Sequence, residues 1–112
     1  MYCDSHAHLE SARFDGDRAA VMARAREAGV MRILTCGSDL ATSQAAVRLV
    51  GEWEGVYAAV GLHGHRAESG VLSAGAGGSW RLAEEAFQSL RHLAAQPKVA
   101  ALGELGLDYH YD

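Results

Sequence analysis

Near the amino terminus Asp4, His6 and His8 alternate with Ser5 and Ala7. Alternate residues of an extended strand share one face. Two imidazoles two residues apart therefore point the same way and could bind a single cation, since neutral imidazole is the commonest protein metal ligand. Asp4 lies on that face one step deeper, where a carboxylate could orient a ligating imidazole from behind. The bland alternative is a pair of polar strand-end histidines without a metal. Glu104 follows the apolar run Val99–Leu102 and is flanked by Gly103 and Gly106. Its two oxygens could bridge two cations, whereas an unpartnered carboxylate buried among apolar residues would be costly. A solvated or salt-bridged glutamate is the competing reading. His63 and His65, in Gly61-Leu62-His63-Gly64-His65, could reach a phosphate or a metal, or be solvated loop residues. Tyr109 and His110 could line the same pocket; otherwise Tyr109 is core and His110 exposed.

The elements that must position these groups alternate along the chain. Met1–Asp4 reads as a first strand. Asp17 can cap a helix running to about Ala28 with Val21, Ala25 and Ala28 on one face, and Gly29 supplies a left-handed stop. Met31–Cys36 reads as a second strand ended by Gly37. Ser38 or Asp39 caps a second helix with Ala46, Val50 and Trp53 in its stripe. Val56–Val60 is a third strand. Ser79 starts a third helix with Leu82, Ala86, Leu90 and Leu93 at helical spacing, Pro97 ends it, and Lys98–Leu102 is a fourth strand. The order βαβαβαβ implies a parallel α/β sheet with right-handed crossovers. The apolar strands are expected to be covered on both faces. All the polar candidates then fall at the carboxyl ends of strands, where parallel α/β folds bind ligands. Residues 62–78, rich in glycine, read as one long loop, either a tolerated insertion or a substrate lid.

Bulk properties narrow the function classes. The 112 residues hold 49% hydrophobic and 21% charged residues with a net charge of −4, a globular composition. Fourteen acids against ten bases disfavour a broad basic groove for nucleic acid and leave room for a local contact at a cation-bearing site. Cys3 and Cys36 form no CxxC pair and read as small buried strand residues in a reducing compartment. With no signal-peptide pattern and no membrane-spanning apolar run, a cytoplasmic protein with no membrane partner is expected. Dinucleotide, P-loop and GxSxG motifs are missing.

Taken together, Tyr2-Cys3-Asp4-Ser5-His6-Ala7-His8-Leu9, Gly61-Leu62-His63-Gly64-His65 and Gly103-Glu104-Leu105-Gly106-Leu107-Asp108-Tyr109 resemble the TatD family of metal-dependent hydrolases, in register across the whole chain. The resemblance implies a (β/α)₈ barrel of the amidohydrolase-like kind. It also implies two divalent cations (Mg, Mn or Zn) and hydrolysis of DNA phosphodiesters, often from a 3′ end, with single-stranded DNA as partner. It makes His6 and His8 ligands of one metal and Glu104 the catalytic bridge to a second. His63, His65, Asp108 and Tyr109 become substrate-side residues. The family usually has Asp or Asn where Glu10 stands and Pro where Gly64 stands, so a looser turn is expected at Gly64. A complete barrel needs roughly 250 residues, so residues 1–112 correspond to the N-terminal portion, with the C-terminal half absent. The family's remaining ligands and catalytic aspartate come from later strands. The expectation is an inactive chain with an exposed half-barrel edge prone to self-association. Two rivals are another HxH metallophosphoesterase of the PHP type and a non-catalytic half-barrel association module.

Overall fold

The computed structural model describes residues 1–64, 72–74, 77, 80–106 and 108–110. Strand β1 spans Tyr2–Ala7, β2 Val30–Cys36, β3 Val56–Val60, β4 Leu72–Ala74, β5 Trp80–Leu82 and β6 Val99–Leu102. Helix α1 spans Arg18–Glu27, α2 Leu40–Val50 and α3 Glu84–Ala94, and a 3₁₀ turn covers Ala12–Phe14. Four strands form one parallel sheet in the order β1-β2-β3-β6. Each crossover steps to the next strand in the same direction, so right-handed connections put α1, α2 and α3 on one common face.

Local chemistry explains the element ends. Asp39 caps α2 through a reciprocal pair with Thr42: its carboxylate accepts from the Thr42 N–H at 2.7 Å, and the Thr42 hydroxyl accepts from the Asp39 N–H at 3.0 Å. Asp17 occupies the N-cap of α1 without a side-chain hydrogen bond to it. Gly29 stops α1 with φ +89°, a conformation that a side chain disfavours. Lys98 also has positive φ, 66°, where β6 begins. Its ammonium donates to the Val50 and Trp53 carbonyls at 2.6 and 2.8 Å. It thus satisfies orphan acceptors at the end of α2 and anchors the start of β6 there.

The core lies between α1, α2 and the inner strands. Val56, Ala58, Ala46 and Val50 are buried, as are Ile33 and Met22. The buried stripe of α2 runs Ser43, Ala46, Leu49 and Val50. Met22 rather than Ala28 is the buried residue of α1, and Ala28 is its exposed C-cap.

Four expectations change. The outer strands are not covered on both faces: Tyr2–His6 of β1 and Ala100–Leu102 of β6 are exposed. Cys3 is exposed with them, while Cys36 is buried. Helices cover one face only, and outer strands lack a second neighbour among the described residues. The third helix begins at Glu84, not Ser79, because Trp80–Leu82 pairs antiparallel with Leu72–Ala74. The spacing of Leu82 and Ala86 imitated a helical turn, but the shorter stretch found a ladder partner. The 62–78 connection consequently contains a strand, and Ala74-Gly75-Ala76-Gly77-Gly78 lies partly outside the described residues. No helix among the described residues is long and apolar enough to cross a membrane.

Candidate metal centre

The site is built at the carboxyl ends of the parallel strands. Glycines permit close approach there. A side chain at Gly37 would collide with Ser43 of α2, and one at Gly61 with the Gly103 backbone. Ser43 uses the space to clamp Gly61, donating to its carbonyl at 3.2 Å and accepting from its N–H at 3.1 Å. The ends of β2, β3 and β6 are thereby drawn together.

The main geometric problem is Glu104. Its strand, β6, is three places from β1, on the order of 14 Å at the usual strand spacing. The backbone solves this beyond the strand end. Gly103 donates its N–H to Val60 at the end of β3 at 2.9 Å, and Glu104 donates to Gly37 just after β2 at 2.7 Å. The chain therefore steps sideways across the tip of β3 and delivers the Glu104 carboxylate next to β1. The Gly103–Glu104 peptide is cis.

At this point the imidazoles meet the acid. His6 Nε2 lies 3.6 Å from Glu104 Oε1, and His8 Nε2 lies 3.5 Å from Oε2. One ligand atom from each of His6, His8 and Glu104 falls within 4.8 Å of the others, a spacing suited to one cation. Two nitrogens and a carboxylate form a donor set compatible with Zn, and the carboxylate also with Mn or Mg. Among the described residues this is the one group of three such side chains close enough to do so.

The neighbours follow the same rim. His63 Nε2 lies 3.7 Å from Glu104 Oε1, and His63 Nδ1 lies 3.8 Å from Asp108 Oδ2. The His63 N–H donates to the Ser38 carbonyl at 2.8 Å, which fixes the backbone after β3 beside α2. His63 and Asp108 thus join the centre, whereas Tyr109 is 76% exposed. His110 is also exposed, its N–H donating to Asp108 Oδ1 at 2.9 Å. His65 lies outside the described residues. The expected loose turn at Gly64 is instead a close approach: an added side chain would strike the Gly106 carbonyl.

Asp4 acts at a different atom from the one expected. Its carboxylate accepts from the His6 peptide N–H at 3.0 Å, so it fixes the backbone that carries the imidazole. Contacts behind an imidazole come at His8. His8 Nδ1 lies 2.8 Å from the Cys36 carbonyl and 3.3 Å from Glu10 Oε1. Glu10 was legible only as a departure in residue type. The alternation that links Asp4, His6 and His8 would have reached it one step later. Burial, and secondarily the Glu104 charge, push the Cys36 thiol above the ordinary thiol range.

Comparison with known proteins agrees with this architecture. The family described as TatD related DNase matches residues 3–112. The uncharacterized metal-dependent hydrolase YabD of Bacillus subtilis is 36% identical over 112 residues, covering 100% of this chain and 39% of YabD. The 3′-5′ ssDNA/RNA exonuclease TatD of Escherichia coli K12 is 35% identical over 107 residues, 96% of this chain and 36% of that protein. The crystal structure of YJJV, a TatD homologue from Escherichia coli, superposes with a TM-score of 0.77 at 27% identity, over 96% of this chain and 38% of YJJV. A TatD family hydrolase from Entamoeba histolytica gives 0.78 at 22% identity and the same coverage, which bears on the fold alone. The chain therefore spans less than two fifths of the length of these relatives, and its four-stranded parallel sheet is part of a barrel. On the sequence, the fold and the order of its strand-end motifs, the chain belongs to the TatD-related DNase family.

Proposed function

We propose that the complete protein is a metal-dependent phosphodiesterase that shortens single-stranded DNA from a 3′ end, with residues 1–112 supplying one side of its metal centre. The observation that carries this reading is the convergence of His6, His8 and Glu104 on one point of the rim. The names of its relatives, a metal-dependent hydrolase and 3′-5′ ssDNA/RNA exonucleases, support the reaction and the nucleic-acid substrate.

In this reading His6 and His8 would hold one cation. Glu104, whose carboxylate faces His6, His8 and His63, would be the acid shared with a second cation. When bound, divalent cations supply positive charge at the scissile phosphate and lower the pKa of water. Mg, Mn and Zn all fit such a donor set. Asp4 holds the His6 backbone in place. His63, with Asp108 beside its Nδ1, stands next to Glu104 on the side where a phosphate would sit. Tyr109 and His65 complete the substrate side; the exposed ring of Tyr109 can meet a base or sugar. The general base comes from outside residues 1–112, so the 112-residue chain does not cleave DNA by itself. Its outer strand β6 and the segment just after it, with Leu102 71% and Leu105 65% exposed, lead it to self-associate. Free Cys3 and Cys36 suit a reducing, cytoplasmic setting.

A chimera tests the function. Residues 1–112 would replace the matching part of the Escherichia coli exonuclease TatD. The expected result is nucleotide release from single-stranded DNA that needs a divalent metal and stops with EDTA or with Glu104→Gln. A folded, metal-binding chimera that leaves DNA intact would overturn the proposal. So would cleavage by the 112-residue chain alone, for the division of labour.

A further inference from the structure

We infer that Glu10, held by Thr35, is a positioning residue that fixes the His8 imidazole for metal binding; this rests on the metal-centre reading above. The Glu10 side chain is 3% exposed, although the His8 ring beside it is 45% exposed. A carboxylate so far out of water needs partners. One oxygen, Oε2, accepts the hydroxyl proton of Thr35, itself fully buried at the end of β2. Thr35 Oγ1 in turn accepts the Leu9 N–H at 3.0 Å. The two residues following His8 are thus pinned to the neighbouring strand. The other oxygen, Oε1, faces His8 Nδ1 at 3.3 Å.

The consequence is a choice of tautomer. His8 Nδ1 faces two groups that only accept, the Cys36 carbonyl and the Glu10 carboxylate. Nδ1 therefore carries the ring proton, and the lone pair is left on Nε2, the atom directed at Glu104. A carboxylate behind a ligating imidazole both orients the ring and makes it a stronger donor. The Cys36 carbonyl alone would leave the ring free to pivot about one contact. Glu10 supplies the second.

Two measurements on the 112-residue chain decide this. The first is the ¹⁵N spectrum of metal-free protein at a pH where imidazole is neutral. His8 is expected as the Nδ1–H tautomer, with the Nε2–H form rising in Glu10→Leu while His6 stays unchanged. The second is calorimetric titration with Zn²⁺. Glu10→Leu is expected to weaken binding ~10–100-fold. Glu10→Gln, which keeps an acceptor on Nδ1 while the Thr35 hydroxyl turns to accept, should recover most of that loss. A wild-type His8 in the Nε2–H form overturns the inference, as does unchanged Zn²⁺ affinity in Glu10→Leu. Should Glu10→Leu fail to fold, the wild-type tautomer and the Glu10→Gln affinity decide: Nδ1–H with near-wild-type binding supports the role, and either result reversed ends it. If wild-type protein binds no Zn²⁺, the metal-centre reading fails, while the tautomer still answers for Glu10 separately.

Discussion

The inner and outer strands of the sheet divide the work between them. β2 and β3 contribute Ile33, Thr35, Val56 and Val60 to the buried interior. β1 and β6 are largely exposed, yet the residues of the candidate metal centre lie at their ends, His6 and His8 at one edge and Glu104 just beyond the other. Burial and chemistry have been assigned to different strands. The inner pair does not donate ligands, but it decides where they go: the Val60 and Gly37 carbonyls receive the backbone of residues 103 and 104, and the Cys36 carbonyl receives His8. A site can therefore be specified by the least protected strands, provided that the best protected ones hold their ends.

Perturbations of each class should separate these roles. The largest effect is expected for Glu104→Ala. It should reduce Zn²⁺ affinity by more than the ~10–100-fold that loss of an orienting partner costs, with little change in circular dichroism. Retained affinity would mean that the outer strands do not carry the centre. Ile33→Ala, on an inner strand, should destabilise the fold by about 2–5 kcal/mol in urea unfolding. A cost of ~0.5 kcal/mol or less, the range for surface changes, would remove the contrast. Lys98→Met probes the tie between α2 and β6. Loss of a charged donor to two carbonyls is expected to cost about 1.5–3 kcal/mol in the same assay. Leu102→Ser, on the outer strand, should change unfolding of the 112-residue chain by no more than ~0.5 kcal/mol, while lowering its apparent mass in size-exclusion chromatography.

The two cysteines sharpen the comparison further. Cys3 lies exposed on β1 and Cys36 buried on β2. Burial and the Glu104 charge raise the Cys36 pKa, so its reactive thiolate is scarce in the folded protein. A thiol reagent should label Cys3 at once and Cys36 only in denaturant; equal rates would contradict the burial assignment. The sign of the pH effect follows. The unfolded thiol loses its proton first as pH rises, so the Cys36 contribution favours folding below the ordinary thiol range and is lost above it.

Much of this was legible in the sequence because periodicity and strand-end position are local signals. The alternation of Asp4, His6 and His8, the apolar runs of the four parallel strands and the glycine stops all read directly. Less legible was whatever depended on a distant partner. Trp80–Leu82 looked helical because its partner, Leu72–Ala74, sits in a glycine-rich stretch that seemed structureless. The exposure of β1 and β6 follows from which neighbours a strand has, and composition cannot report that. Glu104 could be placed at the correct end of its strand, but its sideways step toward β1 is a tertiary event. Glu10 hid for the same reason: its significance lies in Thr35, 25 residues away in sequence.

That sideways step has a thermodynamic corollary. The acid reaches its place through peptide groups bonded to the tips of two strands, so fraying of β6 removes the acid from the rim along with the strand. Occupancy of the centre and integrity of the sheet edge then rise and fall as one equilibrium. Added cation should lift the melting temperature in proportion to the logarithm of its concentration once saturating, which makes the thermal midpoint itself a gauge of ligand binding.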